Sequence, residues 1–464
     1  MSILAFFTGL LLPALCGWLL VSLLEGRTPV LLRLERWTLG LVLGLLLSSF
    51  LFFCAQEFAG IPFTRSGMIA LQWVFLITLF VVRWLRPMTE GDVSLPPSPS
   101  LSRNAKILIG VLAAWVVLKT VVAGTTFLLL TPTYLDDTLD NWNLRGKVFF
   151  VDQTLTLVMP NEDPVTSPRD ISSYPPSVPL MKTWLSVLAG NWNDPLVNSI
   201  HLVWYVAALI LLFSVLRRKT SLPWALLGTY LLASLPLYLM HGTNTYADAF
   251  LSVHVFAAIG LLFSAITATS PAHRLAFLRL GAVAAAVLPF TKNEGLLVYL
   301  PPLLVIVAAS VWWWLRTKTI DRRTALQILL WYGMSLLLIL GPWLAFKWMH
   351  GLTFGNGKAF TSLGFGWQEN VLLSIFINTF FEGNWLLLFP LFFGLLAWRW
   401  RRARTALLPL TAFFLMVYVG QGLLYLFTGL SAEALRQTGY ARGLIHLAPM
   451  IVLLTTLLLK GEED

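Results

Sequence analysis

Apolar residues dominate the chain and occur in long runs, within which polar residues do not recur at the spacing of an amphipathic helix or strand. Each run covers roughly 20 residues, the length that an α-helix needs to cross a ~30 Å hydrocarbon core. The pattern predicts an all-α polytopic membrane protein with about 13 transmembrane helices. We place these spans at about residues 3–24, 37–58, 67–85, 106–130, 198–216, 222–240, 247–268, 276–291, 295–315, 325–346, 384–398, 405–428 and 443–459.

Composition excludes an ordinary soluble enzyme. Hydrophobic residues make up 57% of the 464 residues and charged residues only 12%, whereas a soluble domain carries about 25% charged residues. The 20 Trp, 31 Phe and 11 Tyr residues suit the aromatic belts at membrane interfaces. Cys16 and Cys54 both lie inside apolar runs, and we assign them neither a disulfide nor a metal.

The net charge of +10 does not indicate a nucleic-acid partner. The distribution of the basic residues instead predicts how the chain is oriented in the membrane. Lys and Arg fall in short clusters between the spans, roughly two thirds of them in one set of alternate loops, which therefore faces the cytoplasm. This places the N-terminus outside and the C-terminus in the cytoplasm, in the cytoplasmic (inner) membrane. Most acidic residues fall on the other side, and insertion rules do not explain that excess. We therefore predict chemistry on the outer (periplasmic) face.

Two long loops divide the chain. A Pro/Ser-rich cytoplasmic linker at 87–105 separates a three-span N-terminal part, 1–86, from the remainder, 106–464. The second loop, 131–197, faces outward and belongs to the larger part. It holds most of the unusual polar residues.

The outer loop begins with a segment of helical periodicity at 100° per residue. This predicts an amphipathic helix lying in the membrane interface. Its apolar face comprises Leu135, Leu139, Trp142 and Phe149, and its polar face Asp136, Asp140, Asn143 and Lys147.

Three acidic residues, Asp136, Asp137 and Asp140, crowd the start of this helix. One interpretation is helix capping, because acids favour the first turn. The other is chemistry, with a carboxylate serving as general base or as a ligand of a divalent cation such as Mg or Mn. The sequence leaves both open.

Further along the loop, Tyr174-Pro175-Pro176 predicts a rigid extended segment, because proline fixes its own φ and restricts the residue before it. Residues 178–187 then predict a second interfacial helix with Trp184 as its anchor.

Polar residues also interrupt the apolar pattern at three later outer positions. Lys292 and Glu294 lie in the segment 289–295, which is either a functional site or a plain helical turn. Asp248 either serves the site or caps a helix. Arg442, near the outer mouth of the last span, suits a phosphate or carboxylate. His241 and His254 are not at ligand spacing, and we assign no metal site to them.

The ordered set of these motifs resembles the GT-C membrane glycosyltransferases. The residues that carry the resemblance are Asp136-Asp137, Tyr174-Pro175-Pro176, Tyr246-Ala247-Asp248 and Thr291-Lys292-Asn293-Glu294-Gly295. It covers about residues 106–459 and is greatest for the bacterial branch related to the protein O-mannosyltransferases and the lipid A aminoarabinose transferases.

The resemblance implies a sugar transfer from a polyprenyl-phosphate carrier, outside the cytoplasmic membrane and with inversion at the anomeric carbon. The acceptor would be a glycolipid, a polysaccharide or a protein. Asp136 and Asp137 match the acidic pair of the family and are the predicted catalytic residues. The predicted substrate-binding residues are Asp140, Lys147, Tyr174, Asp248, Lys292, Glu294 and Arg442.

The chain also departs from the family pattern. Three spans precede the loop that usually follows the first span, no large soluble domain follows the last span, and the second acid is Asp where relatives often have Glu. Two other functions stay open. A transporter or lipid flippase predicts inverted repeats and helices broken at mid-membrane, and a structural subunit predicts dispensable acids.

Overall fold

The computed structural model describes residues 2–86, 93, 95–96, 100–160, 171–354 and 364–460. Apart from one isolated bridge between Phe365 and Thr428, every regular element in these ranges is helical. The helices of the first half are α1 (Ser2–Glu25), α2 (Arg33–Ala59), α3 (Arg65–Leu85), α4 (Arg103–Gly124), α5 (Asn143–Asp152), α6 (Ser177–Ala189), α7 (Asp194–Asn198), α8 (Ile200–Lys219), α9 (Leu222–Ser234), α10 (Pro236–Gly242) and α11 (Asp248–Ile266).

The second half continues in the same manner. Its helices are α12 (Pro271–Ala286), α13 (Leu300–Arg316), α14 (Arg322–Met349), α15 (Val371–Phe380), α16 (Glu382–Trp385), α17 (Leu388–Trp398), α18 (Trp400–Ala403), α19 (Leu408–Phe427), α20 (Ser431–Leu435) and α21 (Gly439–Lys460). Short 3₁₀ turns occupy Ile171–Ser173 and Leu288–Phe290, and π-helical turns occupy Thr125–Leu130, Thr138–Trp142 and Gly295–Tyr299.

Within the described ranges, eleven helices are long and apolar enough to cross a membrane, or up to 13 if each of two bent pairs is one span. The prediction of an all-α polytopic membrane protein is thereby confirmed. The bent pairs are α9 with α10, at 77°, and the segment 371–385 with α17, at 114°. The apolar pattern predicted a span here only at residues 384–398 and did not indicate α15, whose apolar run of ten residues is too short to be recognised as a membrane helix.

The centre of the bundle is built around α11 and α21. Almost every residue of α11 is buried, and so are most residues of α21, because neighbouring helices surround them on all sides. A helix that is apolar all round and enclosed in this way belongs to the core. By contrast, α3 and α4 bury few residues and lie at the periphery.

The first two helices form a hairpin with close backbone contact. A Cβ atom on Gly17 would lie 1.8 Å from the carbonyl oxygen of Gly40, and one on Gly44 would lie 1.9 Å from that of Pro13. Only glycine leaves room for such an approach between membrane helices. The hairpin also contacts the outer loop, since the indole Nε1 of Trp184 donates to the carbonyl of Gly9 at 2.9 Å.

The N-terminal helices therefore pack against the larger part of the chain. Phe63, in the turn after α2, donates its backbone N–H to the carbonyl of Gln153 at 2.8 Å, and α2 also packs against α8. The division at 87–105 stays a prediction, and most of that segment lies outside the described residues.

Charged residues close the opposite end of the bundle, which the Lys/Arg distribution predicts to be cytoplasmic. Arg218, at the end of α8, holds Glu35 with two parallel hydrogen bonds, Nε to Oε2 at 3.0 Å and Nη2 to Oε1 at 2.9 Å. Its remaining nitrogen, Nη1, donates to the hydroxyl of Ser264 at 3.0 Å. All three guanidinium nitrogens of Arg218 are thus occupied, and α2, α8 and α11 are held together.

The helix predicted at the start of the outer loop is present, but its faces are not those predicted. Leu139, expected on the apolar face, is 49% exposed, whereas Asn143, expected on the polar face, is buried. The π-helical turn Thr138–Trp142 explains this, because it adds residues to one turn and breaks the 100° spacing.

The second predicted loop helix is also present, as α6. Trp184 is not an exposed interfacial anchor, however, because only 1% of its surface is accessible. All thirteen residues of α6 are buried by the surrounding protein. A tryptophan in that position contributes packing and one hydrogen bond to the protein itself.

Candidate functional site

Four separate segments bring charged side chains together at the other end of the bundle. Asp248 is the first residue of α11, Lys292 and Glu294 lie in the connection after α12, and Arg442 lies in the first turn of α21. Asp137, at the start of the outer loop helix, completes the set through a contact with Arg442. The sequence predicted all five as site residues, and the structure places them in one connected cluster, which we call the Asp248 cluster.

The carboxylate of Asp248 is the centre of this cluster. It has no solvent-accessible surface, and four side chains approach its two oxygens. Lys292 Nζ lies 3.0 Å and His446 Nε2 2.9 Å from Oδ1. His241 Nδ1 lies 3.0 Å and Arg442 Nε 2.9 Å from Oδ2.

A buried carboxylate is costly unless it is paired and fully hydrogen-bonded. Asp248 meets both conditions, since each of its oxygens accepts two hydrogen bonds. Helix capping alone therefore does not account for Asp248. Its side chain connects helices α10, α11 and α21 and the segment that carries Lys292. Removing this one carboxylate would leave Lys292 and Arg442 without their shared partner.

Arg442 joins the buried part of the cluster to its exposed part. Its Nε contacts Asp248, and its Nη2 contacts Asp137 Oδ2 at 2.5 Å. The guanidinium carbon lies 5.3 Å from the ring centre of Tyr246, which itself stacks on His241 at 4.3 Å. The arginine is thus oriented from two sides, and its Nη1 donates to no side chain or carbonyl among the residues that the structure describes.

Asp137 and Asp136 differ in their surroundings. Asp137 is 33% exposed in its side chain and paired with Arg442. Asp136 is exposed, and its Oδ1 accepts the backbone N–H of Asp137 at 2.8 Å. This contact between neighbouring residues is not a helix cap, since no side chain caps the π-helical turn that follows, and the choice between capping and chemistry for Asp136 stays open.

The connection carrying Lys292 and Glu294 is tightly constrained. A Cβ atom on Gly295 would lie 2.1 Å from the carbonyl oxygen of Leu288, so the turn requires glycine there. Lys292 Nζ also lies 3.5 Å from Glu294 Oε1. Glu294 Oε2 is buried and has no hydrogen-bond partner in the described part of the chain.

Electrostatics keep both residues of this connection charged. Burial acts to lower the pKa of Lys292, but Asp248 and Glu294 outweigh it and raise that pKa above its ordinary value. Burial acts to raise the pKa of Glu294, but Lys292 and His446 outweigh it and lower that pKa. Two opposite charges inside a low-dielectric site stabilise each other more than they would in water.

Tyr174 lies beside the cluster. Its ring packs edge-on against Trp142, with the centroids 5.8 Å apart. Burial raises the pKa of its phenol well above the ordinary value, and the negative charges of Glu294 and Asp137 add to the effect. Tyr174 is therefore a neutral phenol and hydrogen-bond donor near the carboxylates.

Asp140 and Lys147 are on the exposed side of the loop helix, and their predicted role in substrate binding stays a prediction. The same holds for the Mg or Mn ion predicted at Asp136, Asp137 and Asp140. In the described ranges, no three His, Cys, Asp or Glu side chains come together as a metal-binding group.

A second layer of side chains around the cluster was not among the predicted site residues. His446 contacts Asp248 through Nε2 and the hydroxyl of Tyr299 through Nδ1, the latter at 2.8 Å. Gln421 donates to the same hydroxyl at 3.1 Å. The spacing of four residues between Arg442 and His446 puts both on one helix face and was the available signal. Tyr299 and Gln421 have no such signal, because both lie in apolar runs.

Two buried lysines, Lys347 beside the cluster and Lys182 in α6, were also not predicted. Lys347 donates to the carbonyl of Ser173 at 2.6 Å and to Asn293 Oδ1 at 3.3 Å, and so holds the connection next to Lys292. Lys182, in α6, donates to Asn143 Oδ1 at 2.5 Å and to Asn198 Oδ1 at 3.2 Å. Burial lowers the pKa of Lys182 to about 7, although Asp194 opposes the shift.

Comparison of the chain with models of protein families, with curated proteins and with solved structures finds no match.

Proposed function

We propose that the protein is a membrane glycosyltransferase that moves a sugar from a polyprenyl-phosphate carrier to an acceptor on the outer side of the cytoplasmic membrane. The observation that carries the proposal is the position of Arg442, fixed between the buried Asp248 and the half-exposed Asp137. It places a cation and carboxylates side by side at one end of an apolar bundle. Transfer from a lipid phosphate to a hydroxyl needs these two kinds of group.

Cations in such a site would bind the phosphate of the carrier. Arginine suits phosphate because its planar guanidinium donates in a fixed geometry, and Nη1 of Arg442 remains available for such a contact. Negative charge grows on the phosphate oxygen as it leaves the sugar. A preorganised donor at that oxygen stabilises the transition state, and its loss typically costs ~10²–10³ in rate.

A carboxylate would accept the proton of the acceptor hydroxyl. The hydroxyl oxygen forms a bond to the anomeric carbon from the face opposite the phosphate, and the bond between that carbon and the phosphate oxygen breaks. The products are the inverted glycoside and the polyprenyl phosphate. Asp136 suits the base, because it is exposed and has no cationic partner among the described residues. Asp137 suits a positioning role, because Arg442 already holds it.

A transporter or lipid flippase is the second candidate. The bends of 77° and 114° in two helix pairs favour it, because transporters place their sites at broken helices. The Asp248 cluster, however, lies at the ends of α11 and α21 and not at a bend of either. That position favours chemistry at the membrane surface.

Native mass spectrometry of the protein, gently extracted from its own membrane, tests the proposal. We expect a bound polyprenyl phosphate, with or without the mass of a sugar, and enrichment of the sugar-loaded form in Asp136→Asn. Asp152→Asn is the matched control, because Asp152 is an exposed acid of the same loop. Spectra that contain only ordinary phospholipids in all three proteins would refute the transferase and favour transport or assembly.

A further inference from the structure

A basic depression lies at the bundle end opposite the Asp248 cluster, between α13 and α14. It has a volume of 870 Å³, and its lining includes Trp312, Arg316, Lys318, Asp321 and Arg322. Arg316 ends α13, Lys318 lies in the connecting turn, and Arg322 begins α14. Three cations thus surround one concave surface at the point where two membrane helices end.

The single acid in the lining, Asp321, offsets only one of these three positive charges. Asp321 Oδ1 accepts the backbone N–H of Thr324 at 2.8 Å and so caps α14. Arg323 is also exposed in the same turn and adds a fourth positive charge. The depression therefore has an excess of positive charge, and an anion would complement it.

The exposed apolar residues around the depression indicate what kind of molecule carries that anion. Trp312 and Trp313 are 58% and 57% exposed, and further along the same helices Leu326, Leu329 and Leu330 are all at least half exposed. Exposed Trp next to exposed aliphatic residues is typical of the boundary between headgroups and acyl chains. The guanidinium of Arg316 lies 5.4 Å from the ring centre of Trp312, at that same boundary.

We propose that this depression binds the phosphate of one anionic phospholipid, whose acyl chains lie along the exposed faces of α13 and α14. Basic pockets between membrane helices on the cytoplasmic side bind acidic lipid headgroups by the same combination of charge and boundary position. The proposal does not depend on the function of the Asp248 cluster.

The test is lipid retention by the full-length protein in nanodiscs of equal parts phosphatidylglycerol and phosphatidylcholine, followed by native mass spectrometry. We expect the wild type to retain phosphatidylglycerol selectively. The selectivity should fall about five-fold for each cation removed in Arg316→Ala, Lys318→Ala and Arg322→Ala, singly and together. The single variants keep the test valid if the triple variant does not fold.

The matched control removes as many charges from the same bundle end. Arg399, Arg401 and Arg404 lie between α17 and α19, where Arg399 packs on Trp398 at 4.3 Å. Their triple alanine variant should leave the selectivity unchanged. An equal loss in the control would show a diffuse basic surface and overturn the proposal, and so would a wild type without selectivity. Displacement of the lipid by glycerol phosphate alone would also overturn it, because the site would then bind a soluble anion.

Discussion

The two ends of the bundle each bury a carboxylate against an arginine, but they use the arginine differently. At one end Arg218 donates from all three nitrogens, to Glu35 and Ser264, and the side chains of Arg218 and Glu35 are only 6% and 3% exposed. At the other end Arg442 is 27% exposed and Asp137 33% exposed. The first pair is closed, whereas the second leaves donors and acceptors at the surface.

The difference separates a structural ion pair from a candidate active site. A closed bidentate pair satisfies every charge internally and has nothing to offer a ligand. The buried carboxylate of Asp248 is also fully hydrogen-bonded, but two of its partners make further ion pairs with more exposed carboxylates. Arg442 contacts Asp137, and Lys292 contacts Glu294. The comparison predicts that equivalent substitutions at the two ends will separate stability from activity.

Asp248→Ala should have the largest effect. It leaves Lys292 and Arg442 without a buried partner, and breaking such a pair typically costs about 3–5 kcal/mol. We expect a lower melting temperature in detergent together with complete loss of sugar transfer. Glu35→Ala should also lower the melting temperature but retain turnover per folded molecule. Full turnover by folded Asp248→Ala would show that the Asp248 cluster has no role in sugar transfer.

Asp136→Asn should lower the rate of transfer by roughly 10²–10⁴, because positioned general bases contribute about that much. Its melting temperature should match that of the wild type, since Asn can still accept the N–H of Asp137. The measurement is transfer of labelled sugar by purified protein, with Asp152→Asn as control. Retention of full turnover by Asp136→Asn would assign the base elsewhere.

Arg442→Lys and Arg218→Lys compare the partly exposed arginine at one end of the bundle with the buried arginine at the other. Lysine cannot contact Asp248 and Asp137 in the same planar geometry, so we expect a loss of roughly 10² in transfer rate with a small change in stability. Arg218→Lys should lose stability and keep its rate. If the two variants behave alike in both assays, the proposed contrast between the ends is wrong.

Lys182→Met should change how stability depends on pH. The folded-state pKa of about 7 lies below the ordinary value of 10.5, so the unfolded chain binds more protons between these two pH values and the wild type gains stability as pH rises. The variant lacks this gain. Its melting temperature relative to wild type should therefore become less favourable from pH 6.5 to pH 9.5. Lys147→Met, which removes an exposed lysine of the same loop, is the control for the loss of a positive charge.

The smallest expected effect is that of a chelator. No metal-binding group forms among the described His, Cys, Asp and Glu residues, and we expect transfer by purified protein to be insensitive to EDTA. A strict requirement for added Mn or Mg would instead favour a cation at Asp136, Asp137 and Asp140.

The all-α polytopic membrane character and the membership of the Asp248 cluster followed from local signals. Apolar run length locates the spans, and a charged residue such as Lys292 in an apolar context is conspicuous. The hub role of Asp248 did not follow, because its partners are 44 residues away at Lys292 and 194 away at Arg442, and no local pattern encodes such contacts. The inverted exposure of Leu139 and Asn143 was equally hidden, because a π-helical turn has no signature in hydrophobic periodicity.

The glycine-packed hairpin of α1 and α2 has a consequence for the order of synthesis. The hairpin is synthesised before the outer loop. Helix α6 of that loop then packs against the hairpin, as the hydrogen bond between Trp184 and Gly9 shows. Domains generally fold in the order in which they emerge. We therefore expect a bulky residue at Gly17 to disturb the packing of the loop that carries Asp136 and Asp137, although it contacts neither residue.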